Sequence, residues 1–179
     1  MGKYYWTVLF FILFAATSLA AENPGYQSDM LTVRLAPRTP QQIAAFYIAR
    51  GFTEKMVNIL RQQCFITISI KNTSQQIIWL DLSNWKFRNS DGEIRRLDRN
   101  YWFDEWRDMK IPLAHQSTFR WTLLPEQLDF RPGEREGGNI ILPRDNQAIS
   151  IQARFATGAD KSGTPVIMKL DNIRCAEDR

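Results

Sequence analysis

From Cys64 onward the chain alternates apolar and polar residues with a period of two. Cys64, Ile66, Ile68 and Ile70 fall on one face of an extended segment, Phe65, Thr67, Ser69 and Lys71 on the other, and Asn72 to Ser74 make a turn. Ile78, Leu80 and Leu82 repeat the alternation, Trp85 and Phe87 follow, and Asp91 with Gly92 signals a tight turn before Ile94. Strand-like runs return at Ser117 to Leu123, Asn139 to Leu142, Ala148 to Phe155 and Pro165 to Ile173. Earlier in the chain, Leu31, Val33 and Leu35 alternate with Thr32 and Arg34 in one short strand, Met30 to Leu35. Short strands at regular spacing, punctuated by Gly, Pro, Asn and Asp, predict a mainly β chain built as an antiparallel β-sandwich.

Ahead of these strands the period is helical. Thr39, Pro40 and Gln42 have the form of an N-cap, a first-turn proline and a capping-box partner, and Gly51 supplies a left-handed stop. Ile43, Phe46 and Tyr47 form the apolar face of this helix. Thr53 caps a second helix to about Gln62, with Met56, Ile59 and Leu60 at core spacing, so residues 38–63 read as a helical hairpin.

The first twenty residues read as an export signal. Lys3 is the positive start, Val8 to Ala16 the apolar run, and Ser18 and Ala20 the small residues before a cleavage site at Ala20 or Ala21. The apolar run is shorter than the roughly 20 residues that cross a bilayer core. No cysteine follows the small residues to carry a lipid. The expected organisation is a signal peptide over 1–20, a lead-in over 21–37, the hairpin over 38–63 and the sandwich over 64–179, with helices and sandwich forming one domain. The expected location is the periplasm, with secretion as a variant and no stable membrane insertion after cleavage.

With 44% hydrophobic and 23% charged residues, the composition is that of a globular chain. The net charge of +4 loses one unit when Lys3 leaves with the leader, and no basic run resembles a phosphate-tracking stripe, so nucleic acid is not expected as a partner. Cys64 and Cys175 are an even pair in an oxidising compartment, which predicts a disulfide; two buried thiols or a redox pair are the alternatives.

The run Ile66 to Ile94, with its Asn-Thr-Ser turn, its Leu-x-Leu-x-x-Trp-x-Phe segment and its Asp-Gly turn, resembles the first half of exported bacterial immunoglobulin-like (telokin-like) domains. Pro132, Gly133 and Glu134, then Gly138, Ile140, Ile141, Leu142 and Pro143, are similar to their second half. The resemblance spans about residues 64 to 175 and implies an immunoglobulin-like antiparallel β-sandwich, here with an N-terminal two-helix hairpin. It implies nothing about activity, because such sandwiches host many unrelated functions.

The densest chemistry lies at Tyr101 to Met109, preceded by Arg95, Arg96, Asp98 and Arg99. On a helix Trp102, Trp106 and Met109 share one face. Aromatics flanked by arginines suit an interface, which makes Arg95, Arg96, Tyr101, Trp102, Trp106 and Arg107 the candidate partner-binding residues. The competing reading is a crossover helix that packs its tryptophans inward and pairs its charges at the rim. Trp79, Trp85 and Trp121 fall in strand-like runs and read as core or sheet-face residues.

Catalytic signals are thin. His115 is the one histidine, Ser117 is too near it in an extended chain to act as nucleophile, and Asp104 and Asp108 lie among arginines that keep carboxylates ionised. No phosphate loop or nucleophile elbow occurs. Met30, Met56, Met109 and Met168 are scattered relative to His115, so neither a metal site nor a cofactor is expected. The sequence thus predicts a non-catalytic binding or accessory module of the bacterial cell envelope that engages a protein partner. The alternative is a periplasmic carrier of a small ligand or copper, which would need a pocket lined by Trp102, Trp106 and His115.

Overall fold

The computed structural model describes residues 24–178, so the predicted leader and its cleavage site lie outside the described residues. In chain order the elements are β1 (Gly25–Gln27), β2 (Leu31–Arg38), α1 (Pro40–Ile48), α2 (Glu54–Leu60), β3 (Gln63–Asn72), β4 (Ile78–Asp81), β5 (Lys86–Asn89), β6 (Gly92–Ile94), α3 (Arg99–Asp108), α4 (Leu113–Trp121), β7 (Gln127–Phe130), β8 (Arg135–Pro143), β9 (Ile149–Thr157) and β10 (Val166–Ile173). The fold is mainly β, in two antiparallel sheets.

The first sheet has the order β1-β2-β3-β8. In the second, β9 is central, with β10 on one side. On its other side β5 pairs with Ser150 to Gln152 and β4 with Ala156 and Thr157, so β4 and β5 lie end to end along one strand. A single turn of 3-10 helix, Leu82–Asn84, separates them, and the Asp81 carboxylate caps it by accepting the Ser83 N–H at 3.0 Å. Strands β7 and β6 pair with the outer sides of β4 and β5.

Period-two patterning determines what lies between the sheets. Leu31, Val33 and Leu35 of β2, Ile66, Ile68 and Ile70 of β3, and Ile140 and Leu142 of β8 share one buried cluster with Ile78, Leu80, Ile151 and Phe155 of the second sheet. Burial of each side chain stabilises the fold by roughly 1.5–3 kcal/mol. A second cluster forms on the opposite face of the first sheet, where Phe65 and Ile141 meet Tyr47, Met56, Leu60, Trp102, Trp106, Phe119 and Leu123 from the helical segments. The order of layers is therefore helices, first sheet, second sheet, and β3 is buried on both sides over Cys64 to Ile66.

Local signals set the helix ends. The Thr39 hydroxyl accepts the Gln42 N–H while the Gln42 side chain accepts the Thr39 N–H, and Pro40 opens α1. Gly51, at φ +76°, turns the chain toward Thr53, which caps α2.

Two expectations are corrected. The lead-in over 21–37, read with one strand at Met30 to Leu35, contributes β1 and all of β2 but its last residue, Arg38, to the first sheet. Ser117 to Leu123, read as a strand, lies in and just beyond helix α4. Phe119 of α4 and Leu123, which lies past the helix cap Thr122 in a bridge with Asn139, are both buried, whereas Trp121 between them is 80% exposed. The apparent alternation of three large residues matched both periods.

The exit from α4 explains one glycine. Leu124 N–H donates to Asn139 O at 3.1 Å and Asn139 N–H to Thr122 O at 2.8 Å, so the chain crosses directly over β8. A Cβ on Gly138 would lie 2.4 Å from Leu124 N, a distance that no side chain can occupy.

Cys64 of β3 and Cys175, two residues beyond β10, form a disulfide with Cα atoms 5.3 Å apart, and it joins the two sheets. Past it, the tail returns to the helices. Arg144 Nη1 donates to Ala176 O at 3.0 Å, and Gln41 N–H, at the start of α1, donates to Asp178 Oδ1 at 2.9 Å. The Gln41 amide, assisted by Thr39, holds the Asp178 carboxyl below the usual aspartate range. A depressed folded-state value means that the contact stabilises at pH above the ordinary carboxylate range and is lost as pH falls through that lower value. In an acid titration followed by NMR, the Gln41 amide signal is expected to shift with a midpoint below that of a free aspartate. In Asp178→Asn the shift should vanish, and a midpoint at or above the free value would contradict the contact.

Candidate functional site

Helix α3 begins where Asp98 accepts the Tyr101 N–H at 2.9 Å. Its polar and aromatic residues then separate by helical geometry. Trp102 and Trp106, one turn apart, face inward and are each 1% exposed. Their rings stack with centroids 5.0 Å apart, and Phe119 of α4 lies 5.1 Å from one and 5.3 Å from the other. On the outer face are Tyr101, Phe103 and Arg107, the last bridging Asp104 at 2.7 Å and Asp108 at 3.3 Å.

The candidate residues from the sequence are thus dispersed. Arg96 is engaged within the fold: its Nη1 and Nη2 donate to Glu126 Oε1 at 3.0 Å and Oε2 at 2.5 Å, a two-point grip that ties the approach to α3 to the segment before β7. Arg95 is exposed beyond β6 and lines a depression with Trp85, Glu93 and Asp98. Trp102 and Trp106 meet no solvent surface of their own. Tyr101 and Arg107 face outward from α3, and burial with the nearby Glu105 raises the Tyr101 phenol above its ordinary value.

Two concavities are built on the helical layer. The first is a cavity of about 260 Å³ between α3 and α4, with Trp102, Trp106, Phe119 and Leu123 as buried lining and Phe103 and Leu113 as exposed members. Arg99 and Arg120 also line it. The indole N–H groups of both tryptophans and the Nε–H of Arg99 are buried without a hydrogen-bond partner. The tryptophans therefore do line a pocket, but His115 does not: its ring packs against Phe52, 5.5 Å between centroids.

The second is an open groove of about 890 Å³ bounded by α1, the end of α4 and the outer face of the first sheet. Thr67, on the polar face of β3, accepts from Arg38 Nε at 2.9 Å and donates to Asn139 Oδ1 at 2.8 Å. The Tyr47 hydroxyl and Thr122 Oγ1 are 2.7 Å apart, and burial pushes the Tyr47 phenol far above its usual range despite that bond. The guanidinium of Arg50 lies over the Phe46 ring, 3.5 Å from its centroid. Trp121 stands at the edge of the groove. No carboxylate lines it, so Arg38 and Arg50 leave it positive.

The sequence reading missed this groove because Trp121 was placed in a strand. Its signal was present in the i, i+4 spacing of Phe119 and Leu123, which leaves Trp121 on the opposite side of a helix. The methionines weighed as soft metal ligands are divided between the two clusters, Met30 and Met168 with the sheets, Met56 and Met109 with the helices. Among the described residues no cluster of three or more His, Cys, Asp or Glu side chains is placed to hold a metal, and no helix is long and apolar enough to cross a membrane.

No protein family and no curated protein matches the chain. Among solved structures it is similar to a candidate lipoprotein (ycdA) from Bacillus subtilis, at 12% identity and a TM-score of 0.43, over 84% of this chain and 39% of that one. It is also similar to the yjhA protein from Bacillus subtilis, at 6% identity and a TM-score of 0.40, over 72% of this chain and 76% of that one. The chain thus spans about two fifths of the length of the ycdA protein.

Proposed function

We propose that this chain is an exported, immunoglobulin-like, non-catalytic binding module of the bacterial cell envelope, in which helices and sheets act as one domain and the helical layer engages a protein partner. One observation carries the reading. Of the large hydrophobic side chains that remain exposed among the described residues, Phe46, Ile48, Tyr101, Phe103, Leu113 and Trp121 all belong to α1, α3 and α4, with Ile167 of β10 the exception. Scattered exposed apolar residues are ordinary, but their concentration on one layer marks an interaction surface. Trp121 beside the positive groove is the natural anchor, since tryptophan and arginine dominate binding energy at interfaces. Export is supported by the leader pattern and by the Cys64–Cys175 bridge, which belongs to an oxidising compartment.

Photo-crosslinking in envelope preparations tests the proposal. A crosslinker at position 121 is expected to capture one protein that a crosslinker at position 169, on exposed β10, does not capture. Arg50→Glu should abolish the capture while leaving the melting transition in place. Equal capture from both positions, or none from 121, would overturn it.

A further inference from the structure

Beyond a protein partner, we infer that the cavity between α3 and α4 is a binding site for a short amphipathic carboxylate. The donor inventory determines the sign of the ligand. An indole nitrogen and a guanidinium can only donate hydrogen bonds, so any partner that Trp102, Trp106 or Arg99 gains must be an acceptor. All three have a buried N–H with no partner, although buried polar groups are almost always paired. Arg99 and Arg120 both line the cavity, and neither makes an ion pair among the described residues, whose bridges involve Arg96 and Arg107. No acidic side chain lines it. A cation is therefore disfavoured and an anion favoured.

The walls determine the rest of the ligand. Trp102, Phe103, Trp106, Phe119, Leu113 and Leu123 present apolar surface, which an inorganic anion would leave unused. A volume of about 260 Å³ lies just below the roughly 300 Å³ at which small-molecule pockets usually begin. At about 30 Å³ for each water-sized group it admits a ligand of about nine such groups. Octanoate and phenylacetate are of that size; a membrane lipid is not. The head group belongs at Arg99, and the apolar body along Phe119 and Leu123.

The probe is octanoate, titrated into the full mature protein with octanol as the uncharged control. NMR of the indole N–H signals, assigned through Trp102→Phe and Trp106→Phe, reports the contact directly. Octanoate is expected to shift both signals saturably, and octanol to bind about tenfold more weakly or worse, as loss of a hydrogen bond to a charged group implies. Arg99→Gln should reduce octanoate affinity by a similar factor and leave octanol unchanged. Ser117→Phe, which fills the cavity from α4, should abolish both. Equal affinity for acid and alcohol, or no saturable shift of either indole signal in the wild-type protein, would overturn the inference. These outcomes do not depend on the crosslinking result at position 121.

Discussion

Trp102→Ala is expected to lower the unfolding free energy by about 3–5 kcal/mol, the cost of truncating a large aromatic in a packed interior. The indole is 1% exposed and stacks on Trp106, while Phe119 and Tyr101 meet it at 5.1 and 5.2 Å. Removing it takes contacts from three aromatic neighbours and enlarges a cavity that already lies beside it. Trp121→Ala is the matched control: at 80% exposure it should change stability by less than about 0.5 kcal/mol. Urea denaturation of the two variants side by side checks the pair. A cost below about 1 kcal/mol for Trp102→Ala would show that the aromatic stack does not hold the helical layer to the first sheet. The pair also separates packing from recognition, because capture by a crosslinker moved to exposed Thr118, on the same groove, should be lost in Trp121→Ala, the variant whose stability is unchanged.

Cys64→Ser with Cys175→Ser should have an effect of comparable size. The bridge spans 111 residues, and constraining an unfolded loop of that length stabilises a fold by about 5 kcal/mol in the chain-entropy description. For a domain of this size that corresponds to a melting temperature lower by roughly 10–20 °C. Thermal melts of the double variant, and of the wild type with and without reductant, measure it. A fall of less than about 3 °C would mean that the sheets hold their alignment without the covalent link.

The readable parts of this fold were those in which a single local rule decides the outcome. The alternation from Cys64 to Ile70 placed Ile66, Ile68 and Ile70 in the inter-sheet core, and the Thr39-Pro40-Gln42 and Thr53 signals marked where α1 and α2 begin. The obscure parts were those in which two rules compete. Beta strand β8 begins at Arg135, but Glu136, Gly137 and Gly138 hide half of it, because Gly138 serves the crossing of the chain at Leu124 and not strand propensity. Beta strands β1 and β7 are short edge segments whose residues carry no strong alternation. Helix α4 was misread because Phe119, Trp121 and Leu123 fit either period. At the candidate site the residue types in α3 were visible, but whether Trp102 and Trp106 faced water or the sheet depended on a second cluster that exists only once β3 and β8 pair. Arg96 looked available for a partner until Glu126, thirty residues later, came within reach of it.

Beta strand β3 is the wall common to both cores, and its neighbours reach it at different times. Beta strand β2 is close in sequence, but β8, which completes its other edge, pairs Thr67 with Asn139, 72 residues further on. Neither hydrophobic cluster can close before that segment arrives, since Ile140 and Leu142 serve one and Ile141 the other. Assembly dominated by such distant pairings is slow. A chain emerging end first would therefore remain open, with its thiols apart, until most of it had been delivered, and the covalent bond between Cys64 and Cys175 would be among the last to form. Such an order of events leaves oxidation as the closing step of assembly.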